Sequence, residues 1–144
     1  MDKLDYIPKT NIKMIHKNKS YSFGIDSILL LDFAKMKRDK KLVDIGSGSG
    51  ILSLGASAYY NPQKIYAIEI QKEKADLLIK NLDLNKIKNI EVINEDLNTV
   101  NLGVNNIDYI ITNPPYYKIN DNIGNKSKEF LISRQEKYLT LENL

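Results

Sequence analysis

Along this chain the hydrophobic positions change period several times, and each change marks a predicted element. Near the N-terminus Ile12 and Met14 alternate with Lys13, Asn18-Lys19 supplies a turn, and Tyr21 and Phe23 resume the alternation. That period of two predicts a β-hairpin. Asp26 then stands as an N-cap before Ile28, Leu29, Leu30 and Leu31, with Phe33, Ala34 and Met36 continuing an apolar helix. Lys41–Ile45 reads as a short strand running into glycines, Ile51–Tyr60 as a helix rich in small residues, and 64–70 as a second strand. Ala75, Leu78, Ile79 and Leu82 fall at i, i+3, i+4 and i+7, one face of a helix ending near Asn85. Segments 89–93 and 107–112 complete a third and a fourth strand. Strands that alternate with helices pair in parallel through right-handed crossovers, so the predicted fold is α/β and Rossmann-like.

Two domain regions follow: 1–40, a hairpin and helix packing on the core, and 41–144, the core itself. After the fourth strand come a polar loop, 118–128, and a mixed segment, 129–144. A doubly wound sheet carries strands on both sides of its switch point. Here the sheet stops at its first four strands and leaves a hydrophobic edge, which favours aggregation. The expectation is that a C-terminal half, or a partner chain, completes it.

Composition narrows the class. Of 144 residues, 42% are hydrophobic and 27% charged, an ordinary globular balance. No apolar run approaches the roughly 18–20 residues of a membrane span. The opening Met1-Asp2-Lys3-Leu4-Asp5 carries acids and no apolar block, unlike a signal peptide. With no cysteine there are no disulfides or thiolate metal sites. The reading is cytoplasmic, without a membrane role. A net charge of +3 is compatible with nucleic acid but does not single it out.

Candidate chemistry concentrates after the strands. Val43-Asp44-Ile45-Gly46-Ser47-Gly48-Ser49-Gly50 closes the first strand and opens a helix. Gly46, Gly48 and Gly50 let the backbone turn tightly and approach a ligand, and the helix N-terminus offers N–H groups to an anion. The spacing is G-x-G-x-G, with an acid two residues before it, and departs from the dinucleotide fingerprint G-x-G-x-x-G. Glu69 lies about 20 residues beyond the glycines, where a carboxylate can accept hydrogen bonds from two ribose hydroxyls. Asp96 follows the third strand, placed to receive an adenine amino group. Taken singly, these are a tight turn, a surface carboxylate and a turn or cap residue. Their recurrence after three consecutive strands, at the edge where such sheets bind ligands, points instead to one site.

The fourth strand ends in Thr112-Asn113-Pro114-Pro115-Tyr116. Two prolines fix the backbone, and the first pushes Asn113 into an extended conformation. The Asn113 amide oxygen and the Pro114 carbonyl can then both accept hydrogen bonds, with the flat face of Tyr116 beside them. A conjugated amino group is a poor nucleophile because its lone pair is delocalised. Two acceptors holding its two hydrogens favour pyramidal nitrogen and stabilise the positive charge that develops as it attacks. Tyr116 can stack on the planar group and orient it. The lone His16 reads as a surface residue, and the plain alternative for 113–116 is a rigid proline turn.

Asp44 through Gly50, Glu69, Asp96 and Asn113-Pro114-Pro115-Tyr116 resemble the ordered motifs of class I methyltransferases with an NPPY signature. Such a resemblance implies S-adenosyl-L-methionine as cofactor and an amino-group acceptor: adenine N6, cytosine N4, guanine N2 of ribosomal RNA, or glutamine N5 of release factors. Tyr21-Ser22-Phe23-Gly24-Ile25-Asp26-Ser27-Ile28-Leu29-Leu30, with the late Arg134-Gln135-Glu136 and Leu139-Thr140-Leu141-Glu142, is similar to the valine-tRNA adenine-N6 methyltransferase family. It implies a tRNA partner, a target adenine beside the anticodon flipped toward Tyr116, and Phe23 to Ser27 walling the cofactor site. For Asp26 a helix N-cap is an equal reading. Lys9, Lys13, Lys17, Lys19, Lys126, Lys128 and Arg134 could meet phosphates, although a solvated surface is the preferred reading for scattered lysines. The family has further strands that this chain lacks, so a truncated, non-catalytic fragment is the third reading beside the RNA and glutamine enzymes.

Overall fold

A computed structural model describes residues 2–17 and 24–114. The chain divides into two units, Met1–Thr112 and Asn113–Leu144, and the architecture below is that of the first. Its elements are β1 (Asp2–Tyr6), β2 (Lys13–Lys17), α1 (Ile25–Ala34), β3 (Lys41–Ile45), α2 (Ile51–Tyr60), β4 (Lys64–Ile68), α3 (Lys72–Asn85), β5 (Ile90–Ile93) and β6 (Tyr109–Thr112).

The four later strands form one parallel sheet in the order β5-β4-β3-β6. Chain order reverses at β3, which places the switch point between β3 and β6, beside the glycine loop. Residues 42–45 of β3 and 65–68 of β4 are buried, as an apolar strand covered on both faces must be. Leu42, Leu52, Leu54, Ile65, Ala67, Leu78 and Leu82 are the heart of the core. The α/β, Rossmann-like architecture and the bounds of β3 and α2 stand as the sequence predicts.

Several local expectations are corrected. β2 pairs antiparallel with β1, from Asp2 opposite Lys17 to Tyr6 opposite Lys13. A hairpin is thus present at the N-terminus as β1-β2, while the turn expected at Asn18-Lys19 and the strand expected at Tyr21 and Phe23 lie outside the described residues. Asp26 is not the N-cap of α1: Gly24 takes that position, with no side-chain cap, and Asp26 sits in the first turn, where its charge favours the helix dipole. The helix ends at Ala34 because Lys35 turns left-handed at φ 47°. β4 stops at Ile68, so Glu69 follows the strand rather than lying within it.

On α3, Ala75, Leu78 and Leu82 are buried as the period demands, but Ile79 is exposed and Asn81 is fully buried. β2 packs against this helix, and its backbone needs polar partners that isoleucine cannot give. His16 is not a surface residue. It is 6% exposed, with Nε2 2.6 Å from the Asp5 carboxylate on the neighbouring strand β1. β6 is the last strand on its side of the sheet among the described residues, and Ile110 is 67% exposed there. Among the described residues no helix is long and apolar enough to cross a membrane.

Candidate cofactor site at the carboxyl edge of the sheet

β3 delivers the chain into a loop in which Gly46, Gly48 and Gly50 all have positive φ, at 69°, 58° and 102°. These are left-handed values that side chains resist, which is why the spacing needs glycine. Gly50 is the N-cap of α2 without a side-chain cap, so the first turn of that helix receives no side-chain acceptor at its cap. A Cβ on Gly50 would fall 2.2 Å from Leu78 Cδ1, whereas one on Gly48 would meet nothing within 4 Å. Gly50 therefore serves packing, and Gly48 faces space.

Glu69 fastens the loop. Its side chain accepts from Gly48 N at 2.7 Å through Oε2 and from Gln71 N at 2.8 Å through Oε1. Ser47 N donates to Ile68 O at 3.0 Å, so the loop after β3 is also tied to the end of β4 by backbone. Glu69 is 4% exposed, and these amides compensate a buried carboxylate that would otherwise be costly.

Asp44, at the end of β3, is fully buried. Ser53 Oγ donates to Asp44 Oδ2 at 2.5 Å, and Asp44 Oδ1 and Ser47 Oγ have no partner among the described residues. Burial pushes the Asp44 carboxyl up to about 7. The Ser53 hydrogen bond opposes that rise, and the negative charge of Glu69 adds to it. Two acids thus sit close enough to repel, beneath a glycine loop with space above Gly48. The two acids can hydrogen-bond hydroxyls or an ammonium group, and the unpartnered oxygen of Asp44 is the buried polar atom that such a group would satisfy.

Asp96 follows β5 in a tight turn. Its Oδ1 accepts from the Asn98 backbone at 2.9 Å and amide at 2.8 Å, and its carbonyl accepts from Thr99 N and Val100 N. The turn role considered for it from sequence is therefore present. Asn94, two residues earlier, donates to the carbonyls of Glu69 at 2.7 Å and Ile70 at 3.1 Å, joining the ends of β4 and β5. Thr112 Oγ1 donates to Ile45 O at 2.9 Å, locking the last residue of β6 to the last residue of β3.

Asp44, the glycine loop and Glu69 are thus brought together, and Asp96 follows the next strand along the same sheet edge. Asn113 and Pro114 follow Thr112 directly but belong to the second unit. Phe23 and Tyr116 lie outside the described residues. Ser53, Asn94 and Thr112 were missed from sequence. Ser53 was legible in retrospect, since a hydroxyl nine residues after a buried strand acid is one of the few polar groups on α2.

The methyltransferase small domain family matches residues 17–141, and the chain belongs to that family. One relative, the tRNA1(Val) (adenine(37)-N6)-methyltransferase of Pseudoalteromonas translucida, is 29% identical over 116 residues, covering 81% of this chain and 50% of that protein. Another, the release factor glutamine methyltransferase of Francisella tularensis, is 29% identical over 103 residues, covering 71% of this chain and 36% of its own length. Among solved structures, M. jannaschii TYW2 in complex with AdoMet aligns with a TM-score of 0.60 and 21% identity, covering 69% of this chain and 45% of that one. The chain spans about half the length, or less, of the relatives it matches.

Proposed function

We propose that the chain is the cofactor-binding part of an S-adenosyl-L-methionine-dependent methyltransferase that acts on an exocyclic amino group, adenine N6 of a tRNA next to the anticodon. The observation that carries this reading is the Glu69 clamp on Gly48, 2.7 Å long, beside a buried Asp44 with an unused oxygen. The residues fit the cofactor: the buried acids Glu69 and Asp44 suit its hydroxyls and amino group, and a helix N-terminus without a side-chain cap suits its carboxylate. When bound, the cofactor supplies an electrophilic methyl group.

In this reading Glu69 keeps lone pairs for the ribose hydroxyls after accepting two amides. Asp96 meets the adenine amino group, and Asp44 offers its unpartnered oxygen to the methionine portion as a hydrogen-bonding group. Gly46 and Gly48 give close backbone approach, Gly50 closes the loop against Leu78 and opens the helix N-terminus behind them, and Phe23 walls the pocket. Asn113 and Pro114 accept the two hydrogens of the substrate amino group through the amide and main-chain oxygens, and Tyr116 stacks on the base. Thr112, the last residue of β6, is held to Ile45 O of β3. Attack needs no residue to remove a proton first, because the amino lone pair is the nucleophile. The adenine-N6 acceptor is supported by the tRNA1(Val) relative. A glutamine acceptor has its own support in the release-factor relative.

Incubation with methyl-labelled cofactor and unmodified tRNA, followed by digestion to nucleosides, tests the reading. Label in N6-methyladenosine is the predicted result. Label in release-factor glutamine alone would replace it with the second reading. A folded chain that transfers no methyl group to RNA or protein would leave only the fragment.

A further inference from the structure

We infer that Asn81 is a positioning residue that couples the N-terminal hairpin to the glycine loop, so that the two order together. The inference rests on the reading of that loop as the cofactor site. It comes from an arrangement on α3 that the proposed chemistry does not use. Asn81 is fully buried. Its Oδ1 accepts from Ile15 N at 2.7 Å, and its Nδ2 donates to Ile15 O at 3.1 Å and to Ser49 O at 3.1 Å. One side chain thus holds both backbone groups of a β2 residue and, with its second hydrogen, a carbonyl of the 46–50 loop.

The helix continues the pattern one turn on. Asn85 Oδ1 accepts from Lys13 N at 2.8 Å, and its Nδ2 donates to Lys13 O at 2.6 Å. Lys13 and Ile15 are two apart on β2 while Asn81 and Asn85 are four apart on α3, so the spacings of the strand and the helix meet. α3 acts as a substitute strand edge for β2, with amide side chains in place of peptide groups. Only Asn81 of the pair also reaches the loop.

Asn81 has the one chemistry that fits. The site presents one N–H and two carbonyls, so it requires one acceptor and two donor hydrogens on a short stem, which is a carboxamide. Aspartate would set an acceptor against two carbonyl oxygens, and leucine would leave three backbone groups unanswered. Asparagine is a poor residue inside a helix, so helix propensity does not explain its presence. The same face of α3 presses the loop at a second point, where Leu78 occupies the space that a side chain on Gly50 would need. With Leu78 packed at Gly50 and Asn81 bonded to Ser49 O, α3 supports the loop from behind while Glu69 holds it at Gly48.

Coupling through such a brace is reciprocal: whatever orders the loop must steady Ile15, and loss of the brace must loosen the loop. Amide hydrogen exchange on the full chain, with and without S-adenosylhomocysteine, reads this directly. The ligand is predicted to slow exchange at Ile15 N at least threefold, together with Gly48 N. Protection of Gly48 with no change at Ile15 would overturn the coupling. The second arm compares Asn81→Asp with Asn85→Asp without ligand. Asn81→Asp is predicted to speed exchange at Gly48 and Gly50 at least tenfold, and Asn85→Asp to leave those two amides within twofold of wild type. Equal effects of the two variants would overturn the assignment to Asn81. If Asn81→Asp does not fold, Asn81→Ser takes its place, since a short hydroxyl cannot span both partners. A wild-type chain that binds no S-adenosylhomocysteine would count against the proposed function instead, and the ligand-free arm would still decide the brace.

Discussion

Among the described residues, Asp44 carries the most strongly shifted carboxyl. Its carboxyl is held protonated up to about 7 in the fold, chiefly by burial, against an ordinary value of 3.8. Between those values the folded chain binds a proton that the unfolded chain has lost. Stability from this group is therefore full below about pH 4, falls as pH rises to about 7, and is level above that. Asp44→Asn removes the slope. Urea unfolding at pH 5 and pH 8 is predicted to show the variant gaining roughly 2–4 kcal/mol relative to wild type on going to the higher pH. A parallel pH response of the two proteins would contradict the assignment.

The glycines separate at the same scale. Gly48 has open space beside it, and its φ of 58° is one that alanine adopts at a cost of about 1–2 kcal/mol. Gly48→Ala should thus melt within several degrees of wild type yet bind S-adenosylhomocysteine at least tenfold more weakly, because its methyl group stands where the ligand must approach. Gly50→Ala meets Leu78 as well as a φ of 102°, and should lose about 2–4 kcal/mol in chemical denaturation. A Gly48 variant that binds normally would remove that residue from the cofactor site.

Among the elements, α1 and α2 meet closely at Gly55, where a Cβ would fall 2.2 Å from Leu31 Cδ1. Gly55→Ala is predicted to destabilise by about 1–3 kcal/mol despite alanine's better helix propensity, as thermal unfolding will show. A rise in Tm would mean that Leu31 turns aside freely.

Strand and helix identity was legible in the sequence where the period was long and unmixed. β3 and α2 agree to the residue, because buried apolar runs there end in glycine at one end and in left-handed Asn61 at the other. β1 was not legible. Asp2-Lys3-Leu4-Asp5-Tyr6 alternates with charges on a two-stranded ribbon, where one apolar face is narrow. The buried state of Asn81 was hidden for a related reason. A polar residue on a helix is assigned to solvent unless the strand it serves is known. In the candidate site, the glycine spacing and Glu69 could be read from residue type and position after a strand. The Ser53 contact with Asp44 and the Thr112 contact with Ile45 could not, since each joins segments whose register only the folded sheet fixes.

For the whole molecule, the sheet order β5-β4-β3-β6 sets the switch point beside the glycine loop and leaves β6 as an outer strand among the described residues. Ile110 is largely exposed on that strand. Unpaired strand edges with apolar side chains associate. Concentrated wild-type chain is predicted to self-associate through this edge in light scattering, and Ile110→Lys to lower that association while leaving S-adenosylhomocysteine affinity within twofold. Unchanged association would show that β6 is not the surface responsible.

The loop clamped by Glu69 is proposed to receive S-adenosyl-L-methionine. Calorimetric titration of the folded chain with S-adenosylhomocysteine, beside Glu69→Ala, tests this most directly. One site per chain is expected in the wild type, and an affinity at least tenfold lower in the variant. Binding of equal strength in both proteins, or no binding by a folded wild type, would contradict it.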